Sequence, residues 1–278
     1  MSVRRVLLGL LLGLCAAVTL GFLVVPVVAI FVHTTPGHLL DQLSSPVVKD
    51  AFIVSMKTSL LAQLFIVLFG TPTAYLIATR RFPGRSLAVT LVELPLVLPP
   101  AVAGIALLAA FGRFGLLGSE LTALGITLPF TQAAVTVAVA YVASPLYTRQ
   151  AIAAFEAVDK DLVAASRTLG AGPVRTFFRI VLPLTRVGLI AGLALSFARG
   201  LGEFGATIMF AGSLQGVTQT LPLAIYAQFD LDFDAAVAMS AVLILISLVL
   251  LVTLHLVLSW QSSSSTRSLF RFGLSPSG

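Results

Sequence analysis

Charge is what this chain has least of. Only 10% of its 278 residues are Asp, Glu, Lys or Arg, against about 25% in a soluble domain. A soluble surface of this size needs a charged coat, because most of it faces water. Apolar residues reach 58% even with 22 glycines left out of that count. The composition therefore excludes a soluble domain and marks an integral membrane protein. Cysteine is all but absent: Cys15 stands alone among leucines, which excludes an internal disulfide and reads as simple packing. Lysine is scarce as well. Lys49, Lys57 and Lys160 are the whole set, and none follows a glycine, so no glycine-rich Gly-Lys-Ser/Thr loop holds nucleotide phosphates. There is no His-Glu-x-x-His and no serine–histidine–acid set in a supporting context. The three histidines, His33, His38 and His255, are scattered. The first two read as interfacial or loop residues, and His255 as a hydrogen-bonded residue of an apolar helix rather than a metal ligand. The sequence names no catalytic residue, no metal ligand and no cofactor site.

What the chain has in abundance is long, mostly apolar runs. A helix needs about 20 mostly apolar residues to cross about 30 Å of hydrocarbon while satisfying its own backbone. Six runs qualify: residues 6–32, 58–79, 87–111, 130–147, 187–210 and 235–260. The first is longer than the apolar core of a signal peptide and reads as a retained span. The third contains Pro99-Pro100, which must break or kink it, and Glu93 near its start, which calls for snorkelling or a polar partner. Trp260 closes the sixth at an aromatic-belt position. The expected organisation is an all-α, polytopic membrane domain over residues 1–260, with a polar loop at about 149–186. A short tail at 261–278 with four consecutive serines is expected to be flexible.

Topology follows from counting. With six spans and the N-terminus inside, the inside segments hold 13 basic residues, from Arg4-Arg5 through Arg80, Arg81 and Arg85 to Arg267 and Arg271. The outside segments hold three: Lys49, Lys57 and Arg113. That is the positive-inside asymmetry. It puts both termini in the cytoplasm and accounts for the net charge of +6 without nucleic acid.

The polar loop reads 156-EAVDKDLVAASRTLGAGPVRTFFRIVLPLTR-186. Asp159 and Asp161 fall in the first turn of a short helix and Arg167 near its end, as the helix dipole favours. Leu162, Ala165 and Leu169 share one side of it. Gly170 suits a left-handed C-terminal cap, and Pro173 suits the first turn of a second helix carrying Val174, Phe177, Phe178 and Val181. Pro183 should end or kink that helix. Its aromatic side chains either pack beneath the membrane domain or enter a groove on another protein; spacing leaves both open.

This segment resembles the signature of ABC importer permease subunits, in which a Glu-Ala-Ala triplet precedes a glycine, and an isoleucine, one spacer and Leu-Pro follow. Gly170, Ile180, Leu182 and Pro183 hold the second half of that pattern. Ala164-Ala165-Ser166 fill the triplet, so the usual glutamate is absent. The run 70-GTPTAY-75 and 94-LPLVLPPAVAGIALL-108 are similar to the same permeases. The segments 202-GEFGATIMFAG-212 and 218-TQTLPLAIYAQF-229 resemble the molybdate-transport branch, whose near relatives carry sulfate, thiosulfate or tungstate. The resemblance covers roughly residues 58–254. It implies a type I importer bundle and a non-catalytic subunit that works as a homodimer. The implied partners are two cytoplasmic ATPases, which use ATP and Mg, and an external substrate-binding protein that supplies most of the selectivity. It also implies that Ala164, Ala165, Ser166, Leu169, Gly170, Pro173, Phe177, Ile180, Leu182 and Pro183 form the coupling helices that dock on the ATPase.

Arg199 and Glu203 lie four residues apart inside the fifth span, so they share a helix face. A bare charge in lipid is costly. Either the two close a helix contact, or they flank the translocation path, with Arg199 offering positive potential to an oxyanion and Glu203 restraining it. Gly200, Gly202 and Gly205 around them permit close contact or a kink. An ion-coupled transporter or channel would instead need an internal repeat, which is not seen. A membrane enzyme would need a catalytic cluster, and a structural adaptor leaves Arg199 and Glu203 unexplained.

Overall fold

The computed structural model describes residues 3–34, 37, 41 and 43–271, with the backbone alone at residues 3, 5, 6 and 254–271. His38 and the tail from residue 272 lie outside the described residues, as do the side chains of His255 and Trp260. Among the described residues the regular structure is all helical.

Helix α1 (Val3–His33) has no buried residue in its apolar window. It runs beside the last helix, and Cys15 on it is exposed rather than packed. Helix α2 (Pro46–Thr79) begins where Ser45 Oγ accepts the Val48 amide at 3.3 Å and Pro46 takes the first turn. Its 34 residues make about 51 Å, so it extends well beyond the expected 58–79 run. Lys57 limits the apolar window but not the helix.

The third run is two helices, α3 (Arg85–Val97) and α4 (Pro100–Phe111), whose axes diverge by 116°. Leu98 and Pro99, with ψ of 132° and 134°, are both extended. A residue before proline is driven out of the helical region, and two successive prolines compel it twice. A short helix α5 (Gly118–Ala123) interrupts the following loop. Helix α6 (Gln132–Glu156) starts at Thr131, whose hydroxyl accepts the Ala134 amide at 3.2 Å. It is the centre of the bundle, flanked by α2 on one side and by the fifth run on another.

That fifth run departs from expectation at both ends. After α7 (Lys160–Thr168) come α8 (Pro173–Thr176), one π-helical turn (Phe177–Val181) and α9 (Leu182–Leu201), joined without a break from Pro173. Pro183 does not end the helix. The widened turn, in which the Leu182 amide reaches Phe177 O, makes room for a ring that lacks an N–H and would clash one turn back. At its other end the helix stops at Leu201, and residues 205–211 form a separate helix, α10 (Gly205–Ala211). Helix α11 (Leu221–Phe229) and helix α12 (Phe233–Arg271) complete the fold. The helical backbone of α12 continues through the serine run.

Small residues set the central packing. A Cβ at Gly188 would lie 2.6 Å from Ala154 Cβ, and one at Gly200 2.8 Å from Val139 Cγ1, so α9 meets α6 at backbone distance. The core of one half joins Leu107 and Phe210 to Val135, Ala138 and Val139 of α6. The core of the other half joins Ile66, Ala74, Tyr147, Phe155 and Val181.

Among the described residues, four helices are long and apolar enough to cross a membrane: Leu7–His33, Pro46–Thr79, Pro173–Leu201 and Phe233–Thr253. Counting the bent α3–α4 pair makes five. Helix α6 is not among them, because Gln132, Tyr141, Ser144, Tyr147, Thr148 and Arg149 dilute its apolar run. The fold is an all-α, multi-pass bundle.

Candidate functional site

The polar loop folds as a rigid hairpin. Asp159 Oδ1 accepts the Asp161 amide at 2.8 Å and starts α7, which ends with Arg167 in its last turn. Gly170 has φ +81°; its amide reaches Arg167 O at 2.9 Å, and the Ala171 amide reaches Ser166 O at 3.1 Å. These two bonds close a Schellman turn, with glycine at the left-handed position. Ser166 Oγ and Thr176 Oγ1, 3.1 Å apart and buried, tie the two arms together.

The two phenylalanines part company. Phe177 turns inward, 5.0 Å from the Tyr75 ring and 6.3 Å from Phe155. Phe178 is exposed, as are Leu162, Val174 and Leu169, the last at 88%. Of the residues assigned to the hairpin's docking role, Ala164, Ala165, Leu169, Gly170, Pro173 and Pro183 lie on the surface. Ile180 and Leu182 are half-buried, and Ser166 and Phe177 hold the hairpin together and to the bundle.

The second site is the α9–α10 break. Glu203 is 2% exposed. Its Oε2 pairs with Arg199 Nη1 at 2.6 Å, and its Oε1 accepts the Ala206 amide at 2.8 Å. One carboxylate thus neutralises the arginine and caps the start of α10. The Arg199 side chain stays 33% exposed, and among the described residues it has no second ion pair. Gly205 lies against the α4 start, where an added Cβ would be 2.6 Å from Pro100 Cβ. Gly202 has open space around it, its nearest neighbour being Ala198 O at 4.0 Å. The breaks in two helices therefore abut at Pro100 and Gly205.

Sequence reasoning passed over the polar partners of this region. Ser196 Oγ lies 2.8 Å from Gln63 Oε1, and Ser55 Oγ accepts the Leu221 amide at 2.8 Å. The signal was present: Ser55, Ser59 and Gln63 recur every four residues in an apolar helix and so share a face. Glu93 finds the polar partner expected for it in Arg149, at 3.0 Å. A cavity of about 490 Å³ lies between α2, the α3–α4 bend and α6, walled by Phe65, Phe69, Leu91, Pro95 and Val137. Hydroxyls of Thr73, Thr136, Tyr141, Ser144 and Thr148 also reach this wall, but it is mostly apolar and holds no cationic side chain to exchange for an oxyanion's water. No group of three or more metal-ligating side chains occurs among the described residues.

Residues 66–264 match the family described as "Binding-protein-dependent transport system inner membrane component". The molybdenum transport system permease protein ModB of Mycobacterium tuberculosis is 43% identical over 81% of this chain and 86% of its own length. ModB of Escherichia coli K12 is 47% identical over 64% of this chain and 78% of its own. The sulfate transport system permease protein CysT of Salmonella typhimurium is 34% identical over 91% and 94%. Among solved structures, a bacterial alginate ABC transporter in complex with its pentasaccharide-bound periplasmic protein aligns with TM-score 0.68 and 17% identity, covering 90% of this chain and 93% of that one. The inward-facing MetNI methionine ABC transporter aligns with TM-score 0.60 and 16% identity over 77% and 95%. At such identities the structures establish a common fold.

Proposed function

The chain belongs to the binding-protein-dependent inner membrane components, the permease subunits of ABC importers, and from that premise we propose that it carries a tetrahedral oxyanion, molybdate first and sulfate or tungstate as alternatives, into the cytoplasm. It is a non-catalytic, multi-pass membrane subunit. Partner ATPases use the ATP and Mg, and a binding protein delivers the anion from outside. Two copies of the chain form the conduit along their seam, with two ATPases beneath them and both termini in the cytoplasm. Helix α6 serves as the sixth crossing. Its 25 residues measure about 37 Å; Thr136, Tyr147 and Thr148 on it are buried inside the bundle, and Arg149 near its end pairs with Glu93.

The observation that carries this reading is the hairpin. A turn held by Gly170 and anchored through Phe177 presents Leu162, Leu169, Val174 and Phe178 to the outside, which is the form of a short apolar lever made to enter a groove. Arg199 has guanidinium donors beyond the one given to Glu203, so it offers an anion a tempered rather than a permanent positive site. The test is twofold. The chain should co-purify with an ATPase and a binding protein, and proteoliposomes of that complex should take up molybdate in an ATP-dependent manner. Uptake of sulfate in preference to molybdate would reassign the anion; uptake without an ATPase would defeat the reading.

A further inference from the structure

The end of the bundle that carries the hairpin also carries arginines that form no ion pair among the described residues. Arg80, Arg81, Arg175, Arg179 and Arg186 are exposed. The ion pairs among the described residues are Arg85–Glu156, Glu93–Arg149 and Arg199–Glu203, and none involves them. The fold gathers them. The Tyr75–Phe177 contact at 5.0 Å lays the helix bearing Arg175 and Arg179 against the end of α2, and Arg80 and Arg81 directly follow that end.

Exposed apolar side chains are interleaved with these charges. Phe178 adjoins Arg179, while Leu184 and Val187 flank Arg186, all within the segment Pro173–Leu201 that is apolar enough to span. A guanidinium set among exposed leucine and valine at the entry to a span has two needs. Its stem is suited to apolar surroundings, whereas its head requires an anion or water at headgroup depth. The planar fork of arginine matches the two free oxygens of a phosphodiester. Along the helix that starts at Pro173, Arg179 stands about 9 Å and Arg186 about 20 Å from the hairpin turn, while Arg175 stays close to it.

We propose that Arg179 and Arg186, supported by Arg80, Arg81 and Arg175, form a binding belt for the phosphate headgroups of anionic phospholipid in the inner leaflet. The inference rests on the cytoplasmic orientation proposed above for this loop. Headgroup binding itself can be measured whichever leaflet the loop faces, so its failure and a failure of orientation are distinguishable.

The whole permease–ATPase complex would be placed in nanodiscs of phosphatidylcholine alone or of an equal mixture with phosphatidylglycerol. Retained lipid would then be counted by native mass spectrometry. The wild-type complex should retain phosphatidylglycerol preferentially, and the preference should fall as salt is raised. Arg179→Gln with Arg186→Gln should weaken retention about fivefold per arginine removed, the factor equivalent to about 1 kcal/mol for each basic side chain near an anionic surface. Arg179→Lys with Arg186→Lys should keep most of it. Equal retention by the glutamine variant would overturn the proposal. So would unchanged lipid retention with loss of the ATPase, which would assign these arginines to protein docking. If the glutamine variant does not assemble, the wild type still decides: no preference for phosphatidylglycerol, or a preference indifferent to salt, also refutes the belt.

Discussion

Glu203 commits both carboxylate oxygens at the α9–α10 break, one to Arg199 and one to the Ala206 amide. Replacing it with glutamine keeps the size but discards the charge. The expected cost is about 1–3 kcal/mol for the weakened buried contacts, seen as lower membrane abundance and earlier thermal unfolding of the purified complex. Arg199 is then left without its counter-charge. The double variant Arg199→Met with Glu203→Gln separates the two roles left open by sequence. If the pair only braces the break, the double variant should recover assembly and oxyanion uptake. If Arg199 guides the anion, the complex should assemble and hydrolyse ATP while uptake in proteoliposomes stays slow. Ala164 is a milder case. It is exposed on α7, so Ala164→Glu, which restores the residue usual in the resembled signature, should leave abundance and uptake near wild type.

At the scale of elements, the hairpin and the α9–α6 contact make opposite demands on glycine. Gly170 needs its positive φ and has open space where a Cβ would go. Gly170→Val therefore meets backbone strain of about 1–2 kcal/mol rather than a clash. The expected outcome is a complex that still binds loaded binding protein but loses stimulation of ATP hydrolysis; undiminished uptake at equal abundance would refute the lever. At Gly200 the limit is space, since Val139 Cγ1 already lies 2.8 Å from an added Cβ. Gly200→Leu should wedge α9 off α6 at a cost of about 1–3 kcal/mol or more and deplete the folded complex. Gly202→Ala, with no neighbour nearer than 4.0 Å to the added carbon, should pass unnoticed in the same abundance assay. If both variants behave alike, the close-packing account of this junction fails.

For the molecule as a whole, orientation is the property to measure. In a Cys15→Ala background, a cysteine at Ser45 should react with an impermeant thiol reagent in intact cells, whereas one at Ser263 should be shielded until the membrane is opened. Labelling at Ser263 from outside would reverse or break the six-crossing plan. By itself the sequence determined membrane class, the sites of most helices and the hairpin turn. Those depend on local quantities: hydropathy over one span, the φ freedom of Gly170, the missing amide of Pro173 and the four-residue spacing of Arg199 and Glu203. Tertiary structure decided the rest. The steepness of the bend at Pro99, the passage of the helix through Pro183, the end of α9 at Leu201 and the inward turn of Phe177 depend on what packs alongside. Each such contact joins residues far apart in the chain, as Gly205 meets Pro100 and Phe177 meets Tyr75. Helix α6 is the plainest instance: its run was legible in the sequence, but only the fold shows that Tyr147 and Thr148 on it are buried, packed where an added Cβ at Gly70 of α2 would meet them.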